Sequence, residues 1–369
     1  MKTVLLLLTA CLPLKLWPPA EPEPAVVAVE QREGYRCELI TYNVTEDERV
    51  QSYLLIPDSA APQAPCPGLV LLHDHGARFD IGKEKLVRPM ADAPEYIKAS
   101  AAQWVADGFD GVYLADRLAR EGFVVVVPDA LYWGSRSSEK CREWSRTRSK
   151  ALKKEVYEGQ RAVYDSLQRH GIVWAEKTLN EDAAAARLLH RLPYVQKDRI
   201  GCFGWSMGGH RAWLLAAFCP EVSSGAALCW MTLKRTQAQP PSASDYSMMI
   251  PALREKYDFP DIARWLAPKP FLFLSGTTDK LFPRDATQEA FERMQSIYRE
   301  NGAAGALRTE FFEGGHHCGL REQQLILDFL KSFARPCASA TCIRPVTRFP
   351  SASTPALRKS LLSRRSSPT

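Results

Sequence analysis

The chain has 369 residues, of which 46% are hydrophobic, so it can bury one large core or two smaller ones. Its formal net charge is +6, but six of the 48 basic residues and none of the 42 acidic residues lie in 336–369. The rest of the chain is therefore neutral, which argues against a nucleic-acid-binding surface.

The N-terminus resembles an export signal, because Lys2 precedes a short run of leucines that ends at Leu8. Leu8-Thr9-Ala10-Cys11 also resembles a bacterial lipoprotein cleavage site, with Cys11 as the lipid anchor. The apolar run is too short to span a membrane. We expect residues 1–32 to be this leader and a Pro-rich linker, and the protein to be exported (periplasmic, lipid-anchored or secreted). A disordered leader on a cytoplasmic protein is the alternative.

Strands and helices alternate along the rest of the chain. Alternating apolar and polar residues predict a β-hairpin from 35–44 and 50–56. Further strands are predicted, most of them as continuous apolar runs, at 68–72, 123–127, 200–203, 225–231, 271–274 and 307–312. Helices are predicted at 113–120, 153–192 with a break near Gly171, 211–218, 283–299 and 321–333. This order predicts an α/β fold, with a mostly parallel central sheet flanked by helices on both faces and an antiparallel N-terminal edge.

The segments between these elements are predicted to be loops. A long polar loop containing 81–85 follows the first buried strand, residues 130–150 are a second loop, and 232–268 could cover the site as a lid. We expect one domain over residues 33–335. Residues 336–369 are basic and rich in Ser, Pro and Arg, so we expect a disordered tail there.

The turn after the strand at 200–203 contains a motif typical of catalytic serines. Gly204-Trp205-Ser206-Met207-Gly208 matches G-x-S-x-G between a strand and a helix, which is the context of a nucleophile elbow. Glycines on both sides let the backbone make the strained turn that presents the serine hydroxyl. The pattern predicts Ser206 as a catalytic nucleophile.

Two further groups are needed to activate a serine, a histidine base and a carboxylate that orients it. In an open α/β sheet such groups follow the carboxyl ends of strands. Asp279 follows the strand at 271–274, and His316 and His317 follow the last strand. The chain order Ser206, Asp279, His316 is the order of an α/β-hydrolase triad. A one-residue shift in the last turn would exchange the roles of His316 and His317, so both remain candidates.

An oxyanion hole needs two backbone N–H groups. The N–H of Met207, directly after the nucleophile, is predicted to be one of them. The second is assigned to Ala77, because Gly76 before it lets the backbone approach a substrate.

These segments together resemble the α/β-hydrolase superfamily, and within it the dienelactone-hydrolase-like and acetyl-xylan-esterase-like serine esterases. The resemblance covers about residues 33–335 and rests on 72–77, 199–209, 275–283 and 314–316. It implies an α/β-hydrolase fold, ester hydrolysis, and a base directly after a Gly-Gly turn, which favours His316. Dienelactone hydrolases themselves use a cysteine nucleophile, so Ser206 argues against a dienelactone substrate.

Two other groups of residues allow different interpretations. His73, Asp74, His75, His316 and His317 could gather around a metal ion, but no Cys/His ligand spacing supports this, and loop residues shaping the oxyanion turn are preferred. Lys83-Glu84-Lys85 could contact an acidic substrate, but a solvated run of charges is preferred.

The sequence therefore predicts a serine carboxylesterase that acts through an acyl-enzyme, with no cofactor and no metal. The expected substrate is a small-molecule or carbohydrate ester with a short acyl group, such as an acetylated carbohydrate. A serine peptidase of the prolyl-oligopeptidase type and a non-catalytic hydrolase-fold binding protein are the alternatives.

Overall fold

Nine strands in the part of the chain that the structure describes join into one sheet. This computed structural model describes residues 14–17, 21–237 and 245–334. The strands are β1 Pro24–Arg32, β2 Tyr35–Asn43, β3 Arg49–Pro57, β4 Cys66–Leu72, β5 Val124–Pro128, β6 Val195–Trp205, β7 Ser224–Leu228, β8 Phe271–Gly276 and β9 Leu307–Phe312. Their order across the sheet is β1-β2-β3-β5-β4-β6-β7-β8-β9. The pairs β1/β2, β2/β3 and β3/β5 are antiparallel, and the remaining pairs are parallel.

Helices connect most of the parallel strands, as crossovers between such strands require. They are α1 Glu95–Phe109, α2 Leu114–Arg120, α3 Glu139–Thr147, α4 Lys150–Arg169, α5 Trp174–Arg191, α6 Met207–Phe218, α7 Pro251–Lys256, α8 Ala263–Leu266, α9 Arg284–Glu300 and α10 Leu320–Ala334. Short 3₁₀ turns occur in several loops, including Lys83–Lys85 after β4.

Both faces of the sheet are covered, because successive residues of a strand point to opposite faces. Along β4, Leu69 and Leu71 belong to one hydrophobic cluster, with side chains of α1, α2 and α10. Val70 and Leu72 belong to the other, with side chains of α5 and α6. The parallel strands are therefore buried on both sides, which explains their continuous apolar sequences.

A third set of buried side chains lies apart from these two clusters. We call it the aromatic cluster, and it combines residues of the loops after β4 and β5 with residues of α3 to α6. Its largest members and its contact to α6 are Phe79, Tyr132, Trp133, Trp144, Trp174 and Met207.

Five elements differ from the sequence prediction. Two of them, helices α7 and α8, lie within 232–268, which was predicted to be a loop. Residues 24–32, assigned to the leader and linker, form β1, which pairs with the antiparallel strand β2. The Pro/Glu-rich stretch lies before this strand, and the Val-rich sequence of the strand itself favours β structure. Helix α1 occupies the long polar loop, and few large apolar residues mark its buried side. Helix α3 lies within 130–150 and begins at the N-cap Ser138, whose side chain accepts a hydrogen bond from the Cys141 N–H. The remaining predicted strands and helices are present.

Some of the expectations concern residues that the structure does not describe. The leader with Cys11 and the tail over 336–369 lie outside the described residues, as does part of the 232–268 connection. The described cysteines, seven in number, are all free thiols. None of the helices described is long and apolar enough to cross a membrane.

Candidate active site

The turn between β6 and α6 holds the candidate nucleophile Ser206 in a strained conformation. Its φ is 56° and its ψ −124°, a region that residues other than glycine rarely occupy. The Ser206 N–H donates a hydrogen bond to the Leu228 carbonyl at 2.9 Å, and the Ser206 carbonyl accepts one from the Gly209 N–H at 2.8 Å. Hydrogen bonds to β7 and to the first turn of α6 therefore hold the strained residue in place.

Glycines make this turn sterically possible. A Cβ on Gly204 would lie 1.9 Å from the Gly208 carbonyl oxygen, and a Cβ on Gly208 would lie 1.9 Å from the Leu72 carbonyl oxygen. Both contacts are with backbone atoms, which cannot move aside as a flexible side chain would. The elbow is thus packed directly against the end of β4, where the loop with Ala77 begins.

Asp279 lies in the turn after β8 and accepts several hydrogen bonds. Its Oδ1 accepts from the backbone N–H groups of Leu281 at 2.8 Å and Phe282 at 3.3 Å, and its Oδ2 accepts from His316 Nδ1 at 2.8 Å. Burial, the largest single influence, raises the pKa of Asp279, but these hydrogen bonds and the attraction to His316 outweigh it and hold the pKa below its usual value. The carboxylate is therefore ionised at neutral pH.

His316 lies after β9 and is the histidine that faces Asp279. Because Nδ1 donates to the carboxylate, Nε2 is left as the acceptor that a general base needs. The imidazole ring lies between Phe282, at 5.8 Å between ring centroids, and Trp205, at 5.2 Å. Trp205 directly precedes Ser206, so His316 lies beside the elbow. Within the described residues no hydrogen bond joins Ser206 Oγ to His316; such bonds are often long in unliganded enzymes and tighten when substrate binds.

His317 has a different carboxylate partner. Its Nε2 lies 3.2 Å from Asp110 Oδ1, and Asp110 Oδ2 also accepts a hydrogen bond from the Leu320 N–H. Asp110 ends helix α1 in a left-handed conformation with φ of 52°. His317 therefore links the turn after β9 to α1, away from Asp279.

The two predicted oxyanion donors differ in their surroundings. Met207 is the first residue of α6, so its N–H has no partner inside the helix. The Ala77 N–H donates a hydrogen bond to His75 Nδ1 at 3.2 Å, and Ala77 has a positive φ of 49°. Ala77 could serve an oxyanion only by sharing or releasing that hydrogen bond.

The other histidine of this loop, His73, uses both ring nitrogens in the protein. Nε2 accepts a hydrogen bond from the Ala130 N–H at 3.1 Å, and Nδ1 lies 2.9 Å from the Asp74 carbonyl oxygen, to which it donates. Burial, with the charges of Arg211 and Lys85, lowers the pKa of His73, so the ring is neutral. These contacts support the interpretation that His73 shapes the loop.

One group of side chains among the described residues has the spacing of a metal site. Its possible ligand atoms come from Cys229, Asp279 and His316 and lie within 4.8 Å of one another. Burial raises the pKa of the Cys229 thiol, and the nearby Asp279 raises it further, so the thiol stays protonated and is a poor ligand. His316 Nδ1 already donates a hydrogen bond to Asp279. The three side chains are therefore better described as a histidine–aspartate pair next to a thiol than as a metal site.

The charged run Lys83-Glu84-Lys85 was predicted to be solvated, and this prediction is wrong. All three side chains are buried. Lys83 Nζ lies 2.8 Å from both Asp129 Oδ2 and Glu84 Oε1. The pairing of Lys83 with Asp129, a residue 46 positions away that follows β5, offsets the cost of burial, and no local sequence signal reveals such a partner.

Strand order, elbow geometry and the position of the histidine–aspartate pair together define an α/β-hydrolase. More than half of the chain, residues 108–325, matches the model of the dienelactone hydrolase family, and the protein belongs to that family. The match includes Ser206, Asp279 and His316 but not the loop after β4. The predicted superfamily and fold class are confirmed.

Named relatives and solved structures agree with this assignment. The protein YtaP of Bacillus subtilis (strain 168), described as a hydrolase, is 25% identical over 292 residues, which are 78% of this chain and 85% of YtaP. A structure from Bacteroides fragilis NCTC 9343, described as an acetyl xylan esterase, has a TM-score of 0.60 and 19% identity, and the alignment covers 80% of this chain and 70% of that one. A glucuronoyl esterase from Solibacter usitatus has a TM-score of 0.58 and 12% identity, with coverage of 86% and 88%. The protein is thus an enzyme of hydrolase type, and these structures share its fold.

Replacing Gly208 by alanine should disrupt the elbow. The new methyl group would overlap the Leu72 carbonyl, so the first turn of α6 and the Met207 N–H must move. We expect activity to fall about 100-fold or more, as when one oxyanion donor is lost. Hydrolysis of p-nitrophenyl acetate by Gly208→Ala and Gly305→Ala would test this, because a Cβ on Gly305 meets nothing within 4 Å. Equal activity of the two variants would contradict the steric argument.

Separate replacement of the two adjacent histidines should give opposite results. His316→Ala removes the partner of Asp279 and should cost on the order of 10⁶ in kcat, as loss of a triad member does. His317→Ala removes a contact to Asp110 only and should retain activity within about tenfold of the parent, since moderate effects are typical of partly exposed pairs. Steady-state kinetics of both variants provide the measurement, and the reverse pattern would assign the base to His317.

Proposed function

We propose that the protein is a serine carboxylesterase that cleaves short acyl esters through an acyl-enzyme, with an acetylated carbohydrate as the candidate substrate. The observation that carries this proposal is the 2.8 Å hydrogen bond between His316 Nδ1 and Asp279 Oδ2, made beside the strained turn that presents Ser206. A family of hydrolases that includes this chain provides the chemical context.

In the first half of the reaction, Ser206 Oγ attacks the carbonyl carbon of the ester. His316 Nε2 takes the hydroxyl proton as the new C–O bond forms, and the ionised Asp279 stabilises the resulting imidazolium. The tetrahedral intermediate then collapses. The proton passes from His316 to the leaving alcohol, which departs and leaves the acyl group on Ser206.

Charge develops on the carbonyl oxygen during this step, and backbone N–H groups must stabilise it. The N–H of Met207 suits this role, because the start of α6 also offers the positive end of the helix dipole. The N–H of Ala77 is the second proposed donor, provided that it is freed from His75 Nδ1 when substrate binds.

In the second half, water replaces the alcohol. His316 takes a proton from the water molecule as its oxygen attacks the acyl carbon, and it returns that proton to Ser206 Oγ when the acid leaves. Nucleophile, base and donors all come from the chain itself, so the mechanism requires no cofactor or metal.

The aromatic cluster supports a preference for short acyl groups. Met207, next to the nucleophile, is buried and packs in this cluster with Phe79, Trp133 and Trp174, each of which is fully buried. The space on that side of the elbow is therefore filled, and a long chain would have to displace close-packed rings. The names of the structural relatives, an acetyl xylan esterase and a glucuronoyl esterase, direct attention to carbohydrate esters.

Ser206→Ala should abolish turnover without unfolding the protein, since alanine removes the hydroxyl and adds no atoms. We expect a loss of about 10⁶ in kcat. A fluorophosphonate probe should label the parent enzyme covalently and fail to label the variant, while thermal unfolding stays within a few degrees. If Ser206→Ala kept more than a few per cent of the activity, the serine mechanism would be wrong.

A panel of p-nitrophenyl esters should reveal the chain-length preference. We expect kcat/KM for the acetate to exceed that for the dodecanoate about tenfold or more, because each poorly accommodated methylene lowers transition-state binding. Faster cleavage of the dodecanoate would contradict the short-acyl proposal. Three further assays distinguish the alternatives: hydrolysis of acetylated xylan, hydrolysis of a peptide p-nitroanilide, and ligand binding. Cleavage of the anilide alone would indicate a peptidase. Ligand binding without hydrolysis of any compound would indicate a binding protein.

A further inference from the structure

Lys85 has no exposed surface, and its shortest polar contacts are with the backbone of the loop that follows β4. Lys85 Nζ donates hydrogen bonds to the carbonyl oxygens of Asp74 and His75, each at 2.8 Å, and lies 3.5 Å from Asp74 Oδ2. It also lies 5.3 Å from the centroid of the Trp104 ring. A buried ammonium group is costly, so these contacts must offset its loss of water. Lys85 thus binds two consecutive peptide groups in a loop that contains a proposed catalytic donor.

Binding of the two carbonyls also fixes the direction of two N–H groups. In a trans peptide the C=O of one residue and the N–H of the next point in opposite directions. Since the carbonyls of Asp74 and His75 point to Lys85, the N–H groups of His75 and Gly76 point away from it. Neither N–H group donates a hydrogen bond to another described residue. Both are therefore free to bind a ligand.

A second buried donor holds the same orientation. Trp133 Nε1 donates a hydrogen bond to the His75 carbonyl at 2.9 Å, the same oxygen that Lys85 binds. Gly76 is confined as well, because a Cβ there would lie 2.5 Å from Asp74 Oδ2 and 2.6 Å from the Trp104 ring. The two peptides are thus held from several sides.

The loop that carries these peptides begins against the nucleophile elbow. A Cβ on Gly208 would lie 3.0 Å from the His73 carbonyl oxygen, so the residue before Asp74 touches the first turn of α6. The Ala77 N–H, by contrast, is already bound to His75 Nδ1. The free N–H groups of His75 and Gly76 are therefore nearer in sequence than the Ala77 N–H to the contact between His73 and α6.

We propose that Lys85 is the positioning residue of the oxyanion hole, and that the second N–H donor comes from the peptides of His75 and Gly76 that Lys85 orients. This inference rests on the proposed serine esterase mechanism and refines its oxyanion hole, because it replaces the Ala77 N–H, which already donates to His75 Nδ1, as the second donor. Lys85 touches neither substrate nor reacting atoms in this account; it acts by holding donors rigid before the charge develops. Its loss should therefore lower kcat and leave KM nearly unchanged.

Lys85→Met tests the proposal, because methionine keeps much of the volume and removes the charge and the donors. Lys83→Met is the matched control: Lys83 is also buried and ion-paired, but its partners are Asp129 and Glu84. For p-nitrophenyl acetate we expect Lys85→Met to lower kcat about 100-fold, as loss of an oxyanion donor does, with KM within about threefold. Lys83→Met should keep kcat within about threefold of the parent while losing a comparable amount of thermal stability.

Inhibition by a boronic acid, which forms a tetrahedral adduct with serine, distinguishes a positioning role of Lys85 from a purely structural one. The inhibition constant of phenylboronic acid should rise in Lys85→Met by about the same factor as kcat falls, since both depend on binding of the tetrahedral oxygen. In Lys83→Met the constant should not change. A rise of KM alone, or equal effects of both substitutions on kcat and inhibition, would overturn the proposal.

Two tryptophan variants, Trp133→Phe and its control Trp174→Phe, test the proposal if Lys85→Met does not fold. Trp133→Phe removes the second donor to the His75 carbonyl but keeps an aromatic ring, and we expect kcat to fall about three- to tenfold with KM unchanged, the effect of one neutral hydrogen bond. Trp174→Phe is the control, because Trp174 is equally buried in the aromatic cluster and its Nε1 has no partner among the described residues. Identical kinetics of the two tryptophan variants would overturn the proposal.

Failure of this inference and failure of the proposed function give different results. If Ser206→Ala is inactive and the fluorophosphonate labels the parent, the serine mechanism holds, and normal kcat in Lys85→Met and Trp133→Phe rejects only the role of Lys85. If Ser206→Ala remains active, the esterase mechanism itself is rejected, and with it the oxyanion hole that Lys85 would position.

Discussion

Everything at the site depends on a steric constraint between backbones. The carbonyl of Gly208 occupies the space that a Cβ on Gly204 would need, and the carbonyl of Leu72 occupies the space of a Cβ on Gly208. The turn from β6 into α6 can therefore form only with glycine at both positions. In this close approach Ser206 has a positive φ, and the first turn of α6 contacts the end of β4. One constraint thus sets the position of Ser206, the proposed nucleophile, relative to the loop after β4.

Buried charges then keep that loop in place. Arg211 in α6 forms two hydrogen bonds with Asp182 in α5 and approaches the His73 carbonyl, while Lys85 binds the two carbonyls that follow. Each pair costs desolvation energy and need not raise overall stability. The contacts of Arg211 and Lys85 hold the loop backbone in a fixed conformation at the sheet edge. The proposed oxyanion hole needs such fixed donors, because donors that must reorganise stabilise charge less well.

Features encoded within a few neighbouring residues were predictable from the sequence. Continuous apolar runs identified the parallel strands, and G-x-S-x-G between a strand and a helix identified the elbow. Features that depend on distant partners were not predictable. The sequence Lys83-Glu84-Lys85 looks like a solvated run because its partners, Asp129 and the peptides of Asp74 and His75, meet it only in the folded chain. Helix α1 lacks a side-chain N-cap, and Val105 and Phe109 are the large apolar residues among the five that it buries, so the usual helix signals were weak.

The choice between His316 and His317 shows how the fold resolves an ambiguity of one residue. A Cβ on Gly276, at the end of β8, would lie 2.4 Å from the Gly315 carbonyl, so the backbones after β8 and β9 are in direct contact. The Thr278 N–H donates to the Gly314 carbonyl at 2.9 Å and fixes the register of the two turns. With that register set, the residue after Gly315 lies beside Asp279, and the next one points toward Asp110. A shift by one residue would break the hydrogen bond from the Thr278 N–H to the Gly314 carbonyl, so the backbone contact between the turns, rather than the histidines themselves, selects His316 as the partner of Asp279.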